Sequence, residues 1–269
     1  MVPSQTIFFS IISLSLSIVF PILLAIWFCR KYKAPATTVL LGALTFLVFQ
    51  LVLRIPLLQI LQPYYPGAEP DLTGWNLALY SFYLSATAAL FEEGGRIIVF
   101  KLFMKKRKDW RNAVALGIGH GGFEAIVLTG LTYVSNLILM FMINSGLMQT
   151  SNDPLINQAI QQLTETSSWL FLTAGVERML AIILHIGFSV LIVYGLTSKE
   201  YRYVFYAFIG HFVLNFPLAF IQGVTGGIYI AIAYIAVMAL ISLYWVVKVL
   251  PDLFRKLQIV DLETYRHIA

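Results

Sequence analysis

Two adjacent glutamates and an arginine stand inside an apolar stretch that is long enough to cross a lipid bilayer. The stretch runs from about Leu77 to Phe103 and contains Glu92, Glu93 and Arg96. Each charge at membrane depth costs roughly 2.5–3.5 kcal/mol on insertion scales. On a helix, Arg96 can reach either carboxylate, because the two glutamates precede it by three and four residues. Two carboxylates that share one cation do not both stay ionised easily. The pattern therefore indicates proton or metal chemistry, with a structural Glu–Arg clamp as the alternative.

Three further apolar stretches carry polar side chains of the kind that catalyse hydrolysis. A glycine-rich stretch holds His120 and Glu124, which are four residues apart and share one helical face. The next two stretches hold His185 and His211, and Asn215 follows one turn after His211. An asparagine there could orient an oxygen or donate to a developing oxyanion. Since three of the four histidines lie in apolar segments, isolated structural roles for all of them are a weak explanation.

The composition is that of a membrane protein that crosses the bilayer several times. The chain has 269 residues, of which 59% are hydrophobic and only 12% charged. Apolar runs of this length are typical of helices rather than of a barrel. The sequence predicts one all-α transmembrane helical bundle over 1–250, with a core at 77–222 that carries the candidate site and a cytoplasmic tail at 251–269. The predicted spans, about seven, are 6–28, 37–61, 77–103, 112–143, 168–197, 203–222 and 226–248.

The distribution of lysine and arginine predicts how the bundle is oriented. Lys and Arg occur after the first, third, fifth and seventh spans, and none occurs after the second, fourth and sixth. The positive-inside rule then places the N-terminus outside and the C-terminus in the cytoplasm. Because the basic residues lie mostly in loops on one side, the net charge of +5 does not indicate nucleic-acid binding. The single cysteine, Cys29, excludes an internal disulfide and a thiolate metal cluster.

In this orientation the candidate side chains of four helices fall at one level of the membrane. Counted at about 1.5 Å per residue from the cytoplasmic end of each span, the glutamates and histidines lie roughly 12–18 Å deep. Histidines with separate structural roles would have no reason to lie at the same depth in the membrane. The shared level therefore predicts that these groups form one site.

Two further expectations concern the outer half of the bundle. In the loop 144–167, Asp153-Pro154 is a good helix start and predicts a short amphipathic helix, which would either pack on the bundle or move as a lid. Arg54 and Glu177 lie at comparable depth, which predicts an ion pair between their helices with a structural role.

Histidines and carboxylates at one level can activate water in two ways. With Zn²⁺, two or three histidines and a carboxylate leave a coordination position for water. Without a metal, a glutamate acts as general base and a histidine holds the water. Four carboxylates in the spans against three deep arginines favour the zinc site, since a divalent cation would neutralise the excess. The predicted metal ligands are His120, Glu124, His185 and His211, with Glu92 or Glu93 as further oxygen donors, and the predicted catalytic residues are Glu92, Glu93, Arg96 and Asn215.

The motifs resemble those of the YhfC family of intramembrane proteases. Its wider relatives, the CAAX-processing and bacteriocin-processing proteases and the PrsW proteases, are also similar. The resemblance covers about residues 90–217 and rests on the following motifs on successive helices: Glu92-Glu93-x-x-Arg96, His120-x-x-x-Glu124 and His211-x-x-x-Asn215.

The resemblance implies a helical bundle in a bacterial plasma membrane and a role for each matched residue. It implies a catalytic glutamate at Glu92 or Glu93, water or metal ligands at His120 and His211, and an oxyanion helper at Asn215. The chain differs from the CAAX pattern by a spacing to the arginine that is one residue shorter, by a leucine where an aromatic residue precedes the first histidine, and by an additional glutamate. A glutamate-only and a metal-assisted mechanism both stay open.

The leading hypothesis is an intramembrane endopeptidase that cleaves a transmembrane or lipid-modified protein or peptide within the bilayer. A proton-coupled transporter or small-molecule receptor is the main alternative, because such proteins also place Glu, His and Arg at membrane depth. Transporters favour broken helices and paired repeats, which the sequence does not display. A catalytically inactive scaffold is the third hypothesis, although a scaffold has no need to keep these residue types together.

Overall fold

The computed structural model describes residues 1–62, 73–105, 107–148, 150 and 152–255, and all regular structure in these ranges is helical. Most of the tail predicted at 251–269 lies outside the described residues. The helices are α1 (Ser4–Tyr32), α2 (Ala36–Leu61), α3 (Gly74–Leu102), α4 (Trp110–Asn144), α5 (Pro154–Glu165), α6 (Ser168–Ser198), α7 (Arg202–Ile221) and α8 (Gly227–Arg255).

The predicted multi-pass α-helical fold is confirmed. Within the described ranges, six helices are long and apolar enough to cross a membrane: α1, α2, α4, α6, α7 and α8. The remaining predicted span corresponds to α3, whose 29 residues would reach about 43 Å. This helix differs from those six in carrying four charged residues, Glu92, Glu93, Arg96 and Lys101.

Helix α6 lies at the centre of the bundle and contacts α1, α3, α4, α7 and α8. Its C-terminal half is almost continuously buried, from Ile182 to Gly195 with few interruptions. A helix that is apolar around its circumference is suited to such a position. A polar side chain in this buried stretch, such as His185, is therefore held against neighbouring helices rather than against lipid.

Two glycines allow α2 and α4 to cross with their backbones in contact. A Cβ atom on Gly119 would overlap the carbonyl oxygen of Val39, and a Cβ atom on Gly42 would overlap that of Leu116. Only glycine permits this approach. The crossing places His120, which follows Gly119, in the interior of the bundle.

We expect Gly119→Ala to lower the stability of the fold by about 1–3 kcal/mol, because the added methyl group has no space at the crossing. Thermal unfolding of the purified protein in detergent measures the effect. Gly94→Ala is the matched control, since a Cβ atom there meets nothing within 4 Å and alanine favours a helix by about 1 kcal/mol. Equal unfolding temperatures for the two variants would show that the close crossing is not required.

Several helices depart from regular α geometry beside polar residues. Wider π-helical turns cover Leu47–Arg54 in α2 and Ala125–Gly130 in α4, the latter starting directly after Glu124. Such turns are frequent at functional sites. In α7 the regular helix ends at Asn215 and resumes at Leu218 after a turn that contains Pro217. The apolar pattern of the sequence predicts no broken helix, but the structure contains one here.

The helix expected in the loop 144–167 is confirmed as α5. The backbone N–H of Leu155 donates to the Asp153 side chain at 2.8 Å and caps the helix as the sequence predicts. Leu163 is buried and joins an apolar cluster with Phe9 and Tyr133. Helix α5 thus packs on the bundle in this structure.

The orientation of the bundle is testable by thiol labelling. We expect a single cysteine at position 152, but not at 107, to react with a membrane-impermeant reagent added from outside, in a Cys29→Ser background. Both positions are exposed, so accessibility depends on the side of the membrane alone. Labelling of position 107 from outside would overturn the predicted topology.

Candidate functional site

Three helices bring four of the predicted residues into one group. Glu92 comes from α3, His120 and Glu124 come from α4, and His185 comes from α6, and one ligand-type atom of each lies within 4.8 Å of the others. Glu92, His120 and His185 are buried. We call these four residues the metal-type cluster.

Close contacts connect the metal-type cluster in two pairs. His120 Nε2 lies 3.0 Å from Glu92 Oε2. His185 Nε2 lies 2.7 Å from Glu124 Oε2, although that carboxylate oxygen makes no aligned hydrogen bond with any described residue. The side chains are thus in position to share a small polar or cationic ligand.

A second group surrounds Glu93. Its Oε1 accepts a hydrogen bond from Arg96 Nη1 and lies 2.7 Å from His211 Nδ1. Arg96 Nη2 in turn lies 2.6 Å from His185 Nδ1, so the arginine links this group to the metal-type cluster. Glu93 and Arg96 are completely buried. The ring of Phe188 stacks on His211 with a centroid distance of 5.2 Å and fixes its orientation.

These contacts determine which ring nitrogens carry hydrogen. A guanidinium only donates, so His185 Nδ1 must accept and the ring hydrogen lies on Nε2, facing Glu124. A carboxylate only accepts, so His211 donates to Glu93 through Nδ1. A neutral His211 therefore keeps a lone pair on Nε2, the form that accepts a proton.

Several buried polar atoms at the site have no hydrogen-bond partner among the described residues. Leaving such an atom unpaired costs about 1–3 kcal/mol. Three of them bear lone pairs and belong to ionisable side chains of the two groups, and the others include Arg96 Nε, Arg178 Nε and Ser189 Oγ. The three are Glu93 Oε2, His120 Nδ1 and Glu124 Oε2. The site is thus built to meet further polar groups.

The donor set fits a divalent metal ion. Two imidazoles and two carboxylates are ligands that zinc accepts, and His120 Nδ1 bears a lone pair that has no hydrogen-bond partner among the described residues. A divalent cation would also offset the negative charge of Glu92 and Glu124. Two ring nitrogens that face carboxylates, His185 Nε2 and His120 Nε2, could coordinate a cation only after losing the hydrogen that these contacts place on them. The cluster is therefore compatible with a metal.

A cavity of about 360 Å³ adjoins both groups. Its lining includes Glu92, Glu124, His185, His211 and Asn215, so five of the eight predicted site residues face one space. Asn215 stands at the point where the regular part of α7 ends. The cavity is large enough for a short stretch of peptide next to the cluster.

The charges around Glu177 at the cavity are arranged differently from the prediction. The predicted ion pair between Arg54 and Glu177 is not formed. Glu177 instead pairs with its neighbour Arg178, whose other nitrogen lies 2.8 Å from Glu124. Equal depth in the membrane does not fix how each helix is rotated about its axis. Glu177 therefore pairs with Arg178, its neighbour in sequence, rather than with Arg54 of α2.

Arg178 is the site residue that the sequence analysis missed. It binds Glu124 and lines the cavity. A signal was present, since Arg178 precedes His185 by seven residues and thus shares its helical face. Ser189, four residues after His185, is buried at the same face.

Comparison with known proteins points to one family. A family model described as YhfC intramembrane metalloprotease matches residues 16–251. The chain is 33% identical over 261 residues to the "Uncharacterized membrane protein YhfC" of Bacillus subtilis (strain 168), covering 92% of this chain and 98% of that protein. No solved structure matches the chain.

Proposed function

The chain belongs to the YhfC family, and from that premise we propose that it is a metal-dependent endopeptidase that hydrolyses a peptide bond inside the bacterial plasma membrane. The observation that carries the proposal is the buried junction of the metal-type cluster with the Glu93–His211 pair at one cavity. A membrane protein does not bury four ionisable groups in contact without a function that needs them.

The metal would be held by Glu92, His120, Glu124 and His185, with zinc the ion that best matches these donors. When bound, zinc polarises a carbonyl and lowers the pKa of water to about 7. Arg178 holds Glu124 from the outer side at 2.8 Å and orients its carboxylate. Partners of this kind fix the geometry of a ligand and tune its affinity.

His211 is the proposed proton carrier. Glu93 accepts from its Nδ1, so Nε2 presents a lone pair, and His211 lines the cavity. Nε2 takes the proton of the attacking water as the new C–O bond forms at the scissile carbonyl. It then returns that proton to the leaving amine as the C–N bond breaks. Glu93 stabilises the positively charged ring between the two transfers, as the carboxylate does in other carboxylate–histidine pairs.

Asn215 is the proposed donor to the carbonyl oxygen. It follows His211 by one turn and lines the same cavity, so its amide can reach a substrate group that His211 also reaches. A donor aimed at developing negative charge contributes roughly 10²–10³-fold in rate in hydrolases.

The proposed substrate is a transmembrane or lipid-modified protein or peptide. The cavity lies between membrane-spanning helices, with lining from α2, α3, α4, α6, α7 and α8. A substrate that reaches it must be soluble in the bilayer. Its backbone must also be locally unwound, because a helical amide is shielded by its own hydrogen bonds.

An unbiased cleavage experiment tests the function. The purified protein is reconstituted into liposomes with a detergent-extracted bacterial membrane proteome, and new peptide N-termini are identified by mass spectrometry. We expect new termini within or next to transmembrane segments for the wild type and none for His211→Asn. A folded wild type loaded with zinc that yields no new termini would contradict the proposal.

A proton-coupled transporter is the second candidate, because the break in α7 at Asn215–Leu218 lies beside the cavity. Interrupted helices at ion and substrate sites are a transporter feature. That hypothesis predicts proton movement with a solute in the same liposomes, without any cleavage. A pH-sensitive dye trapped inside the liposomes separates the two functions.

A further inference from the structure

Arg54 is a buried arginine that has no carboxylate partner among the described residues. Its side chain is 7% exposed and lines the cavity of the candidate site. The other arginine of the cavity lining, Arg178, is bound to both Glu124 and Glu177. Glu92 interacts with Arg54 only at longer range than an ion pair. A guanidinium at membrane depth that makes no direct ion pair is costly, and this indicates that a ligand completes its contacts.

The contacts of Arg54 use only part of its donor capacity. Its Nε donates to Thr87 Oγ1 at 3.2 Å and its Nη2 donates to the carbonyl oxygen of Leu84 at 2.7 Å. Both acceptors belong to α3, so they fix the guanidinium from one side. An arginine has five N–H donors. The remaining donors, including both on Nη1, meet no hydrogen-bond acceptor in the described part of the chain.

Gln50 supplies a second, independent observation at the same place. It precedes Arg54 by about one turn in the π-helical stretch Leu47–Arg54 and lines the same cavity. Its Oε1 is a buried acceptor without a partner among the described residues. The free N–H donors of Arg54 could bind a carboxylate, and the Gln50 Oε1 acceptor could bind a peptide N–H next to that carboxylate.

We propose that Arg54 and Gln50 form a carboxylate-binding subsite that selects peptide substrates with an acidic group near the scissile bond. This inference rests on the proposed function, because it places the subsite in the cavity of the cleaved substrate. A single negative charge suits a single unpaired arginine. A dianionic phosphate suits it less, since the same cavity is lined by Glu92, Glu124 and Glu177.

The carboxylate has two chemical sources: an acidic side chain or a free C-terminus. Three probes distinguish them: N-acetyl-trileucine with a free carboxylate, the same peptide as its amide, and N-acetyl-Leu-Glu-Leu-amide. Binding is measured by thermophoresis with the protein in nanodiscs. Hydrogen bonds to charged groups contribute about 1.5–3 kcal/mol, which corresponds to roughly 10–100-fold in affinity.

We expect at least one acidic probe to bind the wild type roughly 10–100-fold more tightly than the amide. Arg54→Gln should remove this difference and Arg54→Lys should keep part of it. Arg202→Gln is the matched control, because Arg202 is exposed and pairs with Glu200. The control should keep the full difference. The probe that binds better identifies the source of the carboxylate.

Two results would overturn the subsite. One is equal binding of acidic and amide probes to the wild type, including no binding of any probe up to millimolar concentration. The other is an equal loss for all probes in Arg54→Gln, which is what a mere clamp between α2 and α3 would produce. Binding is measured without turnover. Carboxylate-dependent binding in a protein that cleaves nothing would therefore refute the protease and keep the subsite.

Discussion

Replacing Glu93 by glutamine is expected to abolish proteolysis and also to destabilise the fold. The Oε1 atom of Glu93 accepts from Arg96 and is the partner of His211 Nδ1. Glutamine keeps the volume but loses the negative charge. His211 then loses the group that fixes its tautomer, and a carboxylate–histidine pair broken in this way loses on the order of 10⁴-fold in rate.

The stability effect arises from Arg96, which is completely buried beside Glu93. Removing one partner of a buried ion pair costs about 3–5 kcal/mol, because the other charge stays in the interior uncompensated. Thermal unfolding in detergent should therefore show a large decrease for Glu93→Gln. The double variant Glu93→Gln/Arg96→Gln should recover much of the stability without recovering activity.

Glu92→Gln is the matched comparison, since the two glutamates are adjacent on α3 and lie in the same apolar stretch of the sequence. Glu92 contacts His120 and no arginine, so we expect this variant to unfold near the wild-type temperature while losing activity. If Glu93→Gln unfolds no lower than Glu92→Gln, Arg96 is not held by Glu93. If Glu93→Gln keeps normal turnover, the Glu93–His211 pair has no catalytic role.

The fold and the residues of the candidate site could be predicted because ionisable side chains are rare and costly within a membrane. Their presence in an apolar segment therefore indicates a candidate site. Apolar runs predicted the helices, and depth counted along each predicted span placed Glu92, His120, Glu124 and His185 at one level. The structure brings these four side chains together. In a soluble protein the same residue types would be too common to indicate a site.

What the sequence could not supply was the rotation of each helix about its axis. Spacing left Arg96 free to reach either glutamate, and the structure pairs it with Glu93. The same limitation produced the expected Arg54–Glu177 pair, which the neighbouring Arg178 replaces. The break in α7 depends on how Pro217 is accommodated, and a single proline in an apolar run does not decide between a kink and an interruption.

Rotation also decides which histidines accompany a metal. The sequence offered three intramembrane histidines as ligands, and the family resemblance favoured His120 and His211 over His185. In the structure, His120 and His185 join the metal-type cluster, while His211 lies on Glu93. If His120 is a metal ligand and His211 is a proton carrier, replacing His120 should remove the metal, whereas replacing His211 should not.

We expect the purified protein to contain about one zinc ion per chain, the number that a single site of four donors implies. His120→Ala should remove the metal, because His120 is completely buried in the cluster and no other described histidine can take its position. His211→Ala should retain the metal and lose activity. Elemental analysis by inductively coupled plasma mass spectrometry, with protein concentration from amino-acid analysis, measures the ratio.

Arg54→Ala is the control for this series, since Arg54 touches α3 through Thr87 and the Leu84 carbonyl and lies outside the cluster. It should bind zinc like the wild type. Loss of zinc from His211→Ala as well as from His120→Ala would move His211 into the ligand set and leave Glu93 as the base. Active protein that holds no stoichiometric metal and resists chelators would reject the zinc site. Hydrolysis would then depend on the carboxylates and histidines alone, through a glutamate or His211 as general base.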